Sequence, residues 1–204
     1  RPDVVSPLPV LHPPADAGEA EAVVTATRRW VERAVIGLNL CPFAKAVQAK
    51  QQVRYVVTGA CTPEALLEEL AQELTLLDQA DPIEIETTLL IHPAVLDDFL
   101  DFNDFLGAAE QAVEALGLEG VLQVASFHPR YQFAGTTVDD IGNCTNRSPY
   151  PTLHLLREES ITRAVEAFPD PEAIYGANLG TLEALGPERS EEHTSELQSR
   201  ETIS

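Results

Sequence analysis

The chain has 204 residues and a mass of 22.2 kDa, a length that fits one domain with its own core and needs no metal or disulfide staple. Thirteen Lys and Arg against 33 Asp and Glu give a formal net charge of −20, which argues against a nucleic-acid binder and against docking on anionic membranes. No apolar run approaches the ~20 residues of a membrane span, so a soluble, cytoplasmic protein is expected.

Residues 1–22 are expected to form a disordered lead-in, because Arg1–Ala20 is rich in Pro, Ala and acids. No Met occurs at any position, so the natural start is expected to lie outside this sequence. A single globular domain is expected over 23–186. Thr27–Leu40 reads as a helix with Val31, Ala34, Val35 and Leu38 on one face and Trp30 at its edge; Pro42 ends it. Val53–Val57 is a β-rich run closed by Gly59. Thr62-Pro63-Glu64 has the cap, proline and acid of a helix start, and Leu66, Leu67, Leu70, Leu74 and Leu77 continue that helix to Asp78. Thr87–Ile91 is a second strand ended by His92-Pro93. Asp97–Leu116 is a helix with a Phe-rich stripe, closed by Gly117 and Gly120, and Val121–Phe127 is a third strand ended by His128-Pro129.

Arg130–Pro151 has almost no periodicity, and a loop of that length in a compact domain is usually functional or disordered. Its aromatic and mixed polar content argues against disorder. A short fourth strand at Thr152–Leu156, a helix from about Ser160 to Phe168 and a helix over Pro171–Leu185 follow. The tail over 187–204 carries Arg189-Ser190-Glu191-Glu192-His193-Thr194-Ser195-Glu196-Leu197-Gln198-Ser199, which looks like a translated sequencing adapter, the alternative being a natural polar tail. On the adapter reading His193 and Ser195 have no function.

Strands alternating with helices point to an α/β (or α+β) domain: a three- to four-stranded mixed sheet flanked by helices, with a ferredoxin-like sandwich as the alternative. If the second and third strands run parallel, His92 and His128 lie on one rim, where ligand sites of open α/β sheets sit. The long loop starts there too. His128 is the candidate general acid/base, with Asp140 to orient it. Asn143, Asn146, Arg147, Ser148 and Tyr150 are the candidate substrate contacts, Arg147 for its fork of donors suited to carboxylate or phosphate. No metal site is expected; His128, Asp140 and His154 form a weak alternative ligand set whose spacing matches no metal signature. Cys41, Cys61 and Cys144 are odd in number and lack a C-x-x-C, which fits a reducing compartment.

Gly37-Leu38-Asn39-Leu40-Cys41-Pro42-Phe43, Glu86–Ile91, the 98–106 segment, Gln123–Pro129, Tyr131-Gln132-Phe133, Asn146–Pro151 and His154 resemble the bacterial domain of unknown function 1415 family. The resemblance covers roughly Thr27–Gly186. It implies a soluble bacterial protein and supplies no activity.

Two functional expectations follow. One is an enzyme, a hydrolase or transferase, that holds a small anionic metabolite through the 143–151 loop and moves a proton at His128. The other is a non-catalytic module that binds a small molecule or a protein. Neither cofactor nor oligomeric state is fixed by these residues.

Overall fold

The structure, a computed structural model, describes residues 9–38, 41, 43–167 and 171–186. Residues 1–8 of the expected lead-in, Leu40 and Pro42, Phe168, and the adapter-like tail from 187 onward lie outside the described residues.

Helix α1 spans Ala17–Trp30 and is capped by Asp16, whose carboxylate accepts from the backbone N–H groups of Gly18 and Glu19. The helix thus opens ten residues before the apolar stripe alone suggested. Ala17, Ala20, Ala22 and the acids between them are good helix formers that a stripe-seeking reading passes over. From Val31 to Ile36 the chain widens into a π-helical turn. Helix α2 (Ala44–Ala49) is a short addition, too brief to show a periodicity.

Strand β1 (Val53–Val57) is followed by α3 (Pro63–Gln79), β2 (Thr87–Ile91), α4 (Phe99–Ala115) and β3 (Leu122–Phe127). The long loop holds one 3-10 segment, Ile141–Asn146, and leads into β4 (Thr152–Arg157), which passes directly into α5 (Glu158–Ala167); α6 is Pro171–Leu185. The sheet order is β1-β2-β4-β3. β1 and β2 are parallel, and β4 is antiparallel to both β2 and β3. The architecture is therefore an α/β fold with a four-stranded mixed sheet. The parallel β1–β2 pair excludes the all-antiparallel sheet of a ferredoxin-like sandwich. Because β2 and β3 both oppose β4, they run in the same direction, and His92 and His128 follow strand ends on one rim.

Alternation splits the sheet into two faces. Val56, Leu90, Leu153 and Leu155 pack against Leu66, Leu70 and Leu74 of α3 and Phe102, Phe105 and Ala109 of α4, forming the main core. Leu89 on the other face packs with Trp30, Val31 and Ala34, against which Val53, Tyr55 and Phe127 are half-buried. Trp30 is 2% exposed, a centre of this second cluster rather than its edge. Residues 9–14 run along α3. The buried carboxylate of Glu69 accepts from the N–H groups of Leu11 and His12 and from the Thr58 hydroxyl. Gly59 packs so tightly on this segment that a Cβ there would lie 2.6 Å from the Pro13 carbonyl oxygen.

Candidate functional site

Pro129 directs the chain off the end of β3, and His128 turns inward beneath it. The His128 side chain is buried against Phe99 and Phe102 of α4, with ring centroids 5.4 and 5.1 Å away. Nδ1 accepts the backbone N–H of Arg130 at 3.0 Å, so the proton sits on Nε2, which donates to the Leu96 carbonyl at 3.0 Å. Both ring nitrogens are thereby engaged by backbone. Burial pushes the His128 pKa below its ordinary value, opposed by the bond to Leu96. His92 fills the equivalent position after β2. It stacks on Phe102 at 5.5 Å and donates from Nδ1 to the Val95 carbonyl, and burial lowers it to about 4.

The polar residues of the loop are spent largely on the loop. Asn143 is fully buried; its Oδ1 accepts from Phe133 N–H and the Thr136 hydroxyl, while Nδ2 donates to the Thr137 carbonyl. Asn146 donates to the Ser126 carbonyl, and its own carbonyl receives the His128 N–H. Buried Ser148 donates to the Tyr150 carbonyl, which also accepts from Thr152. Exposed Asp140 caps the 3-10 segment through the Gly142 N–H. Arg147 donates from Nε to the Tyr131 carbonyl and from Nη2 to the Val138 carbonyl. Helix α6 packs over the 3-10 segment, where Gly142, Asn143 and Cys144 are buried. The sequence pattern did show an ordered loop. It did not show that each polar group folds back on the chain, because the partners lie anywhere from 2 to 20 residues away and residue type does not name them.

His154 lies elsewhere. It sits on the sheet face opposite α3 and α4, with Phe127 at 5.8 Å, whereas His128 packs on α4. The weak metal alternative of His128, Asp140 and His154 is not assembled, and among the described residues no three His, Cys, Asp or Glu side chains are grouped to hold a metal.

What the sequence reading missed is a cavity of 340 Å³ on the His154 face, between the sheet and the shell formed by α1, the π-helical turn, α2 and α5. Its walls are almost wholly apolar: Trp30, Val35, Leu89 and Phe127 on one side, Ile161 and Val165 of α5 on another. Cys41, Glu86, Thr87, His154, Arg157 and Ser160 supply its polar lining. The Thr87 hydroxyl donates to the Leu155 carbonyl at 2.6 Å and lies 2.8 Å from His154 Nε2. With its hydrogen so placed, the hydroxyl accepts from Nε2–H, which fixes the imidazole tautomer. Burial alone lowers the His154 pKa to about 4, so the ring is neutral at pH 7. A hint of this site was present in the sequence: one His in the strand Thr152-Leu153-His154-Leu155-Leu156, flanked by apolar residues.

A second recess, of 380 Å³, opens at the rim, lined by Asp98 and Phe99 at the start of α4 and by Arg130, Gln132, Val138 and Arg147. Arg130 is itself tethered to the carbonyl and carboxylate of Asp97.

Among the described residues no helix is long and apolar enough to cross a membrane. No curated protein and no solved structure matches the chain. Residues 22–192 do match the sequence model of one family, described as a protein of unknown function (DUF1415), and the chain belongs to that family.

Proposed function

We propose that the protein is a non-catalytic module that binds a small, largely apolar molecule in the cavity beneath α5. One observation carries the reading: a 340 Å³ recess with carbon walls in a fold whose opposite sheet face is filled by leucine and phenylalanine. Apolar clefts of roughly 300–1,000 Å³ with a few placed polar groups are the usual form of a small-molecule site. Two further features support it. Val31 and Val35 of the cavity wall belong to the π-helical turn, a local widening that recurs at functional sites. His154 is a neutral, tautomer-fixed imidazole in that wall.

Binding is favoured over catalysis because His128, the candidate acid/base, has no ring nitrogen left for a substrate. The direct test is a thermal-shift screen of neutral and charged fragments against the wild type and Ala164→Phe, which fills the cavity from α5. Neutral apolar fragments should raise the wild-type Tm in a saturable way and leave the variant unmoved. Equal shifts in both proteins, or none in either, would refute the reading.

A second reading keeps the small anion at the rim, and the recess between Arg130 and Arg147 favours it. There the two guanidinium groups would hold the anion. His128 would act as a positioning residue through the Arg130 N–H, and Asn143, Asn146, Ser148, Tyr150 and Asp140 would brace the loop. Anionic fragments whose Tm shift vanishes in Arg147→Ala and survives in Ala164→Phe would select this reading over the first.

A further inference from the structure

Resting on the cavity reading above, the chemistry of the wall narrows the occupant to one class. Among the described residues the charges that line the cavity have partners within the protein, Arg157 Nε excepted. The Glu86 carboxylate accepts from the Ser160 hydroxyl. Arg157 Nη2 donates to the carbonyls of Leu77, Ala80 and Ile85 at 2.8, 3.0 and 2.9 Å, the first two at the end of α3, where a cation is favoured. The β2–β4 register, with Thr88 opposite Leu155, sets Glu86 across from Arg157, so opposite charges stand on neighbouring strands at this end. Apart from Arg157 Nε, an ionised head group that left water would find no free partner among the described lining residues, which is costly in an apolar wall.

What the wall does offer is aromatic surface and one acceptor. Trp30 and Phe127 meet edge to face at 5.1 Å, and Phe127 lies 5.8 Å from the His154 ring. A flat aromatic guest extends such a cluster. Because the Thr87 hydroxyl accepts a hydrogen bond from His154 Nε2–H, Nδ1 carries the lone pair, and among the described residues it has no hydrogen-bond partner. The volume is more than twice that of an engineered apolar cavity of about 150 Å³ that stays dry and takes up benzene. Two fused rings therefore fit. We infer that the occupant is an uncharged, bicyclic-sized aromatic molecule that donates one hydrogen bond to His154.

Arg157 Nε is buried without a partner and is the one feature that speaks for an acceptor or anion instead. The experiment sets the two against each other. Calorimetric titration of the full chain with indole, indene and indole-3-carboxylate compares a donor, its donor-free isostere and an anion of similar frame. Indole should bind about 3- to 10-fold more tightly than indene, the worth of one neutral hydrogen bond. Indole-3-carboxylate should be weaker than indole by roughly 30-fold or more. His154→Phe should abolish the indole preference while indene still binds. Thr87→Val, which frees the imidazole to change tautomer, should narrow that preference and serves if His154→Phe does not fold. Indole-3-carboxylate binding as well as indole, or an indole preference that persists in the variants, overturns the ligand class and leaves the cavity site standing. No binding by any of the three, with Ala164→Phe indistinguishable from wild type throughout, overturns the site itself.

Discussion

His92 and His154 are held neutral, each lowered to about 4 by burial, while in the unfolded chain both titrate near 6.5. Between pH 6.5 and 4 the unfolded state binds more protons, so the native state loses stability as pH falls through that window. His92, fully buried beside Phe102, should cost on the order of 2 kcal/mol between pH 7 and 5. Urea unfolding across that range should show the decline, and His92→Leu should remove about half of it while His154 keeps the rest; a flat wild-type profile contradicts the assignment. His128→Ala strips the Leu96 carbonyl and the Arg130 N–H of their partners and empties a buried ring site, a loss of roughly 2–4 kcal/mol measurable by the same method. A His128→Ala protein of wild-type stability would restore the case for a functional rather than structural ring. Arg54 and Glu73 form a bidentate pair in which the carboxylate is fully buried. Arg54→Ala should destabilise by about 3–5 kcal/mol, because it leaves that charge buried alone, whereas replacing both with apolar residues should cost far less.

Helices and strands with strong periodicity were legible: the leucine repeat of α3, capped by Thr62 with Pro63 in its first turn, and the Phe stripe of α4, capped by Asp98, appear within a residue or two of where the pattern puts them. The four strands were legible as well: Gly59 or a His-Pro pair closes the first three runs, and Pro151 opens the fourth. The π-helical turn was not, because Val31, Ala34 and Val35 satisfy an α-helical stripe equally well and only the backbone partner distinguishes the two. Gly37 closes that turn under a steric constraint: a Cβ there would lie 2.3 Å from the Arg33 carbonyl oxygen. Gly37→Ala should force the turn to shift, lower the Tm by several degrees and weaken binding in the adjoining cavity; a variant that keeps both wild-type stability and binding would show that the π-helical geometry is incidental. The loop over 130–151 was legible as a long aperiodic connection, which the structure folds around one 3-10 segment. The partners of its polar residues were not, since Asn143, Ser148 and Arg147 serve carbonyls and N–H groups of the same loop, and nothing in residue type separates bracing a loop from binding a ligand.

The mixed sheet divides the protein into two chemical halves. The face toward α3 and α4 is a filled core, and two inward-turned histidines, a self-bonded loop and α6 lie at its rim, where the second recess opens. The face toward α1 and α5 retains a recess that the described side chains do not fill. A cavity is a difference between surfaces brought here from eight separate elements, so no single stretch of sequence carries its signature; the lone His of β4 was its local trace. The net charge of −20 adds a uniform bias against anionic guests at either site. The most direct measurement is a two-dimensional amide NMR titration with indole, read at Trp30, the only tryptophan of the chain. The account predicts saturable shifts of the Trp30 side-chain N–H and of residues in β2 and β4 that face α5, with Arg130 and Arg147 unmoved. Shifts confined to residues 128–151, or no shift at Trp30 at saturating ligand, would contradict it.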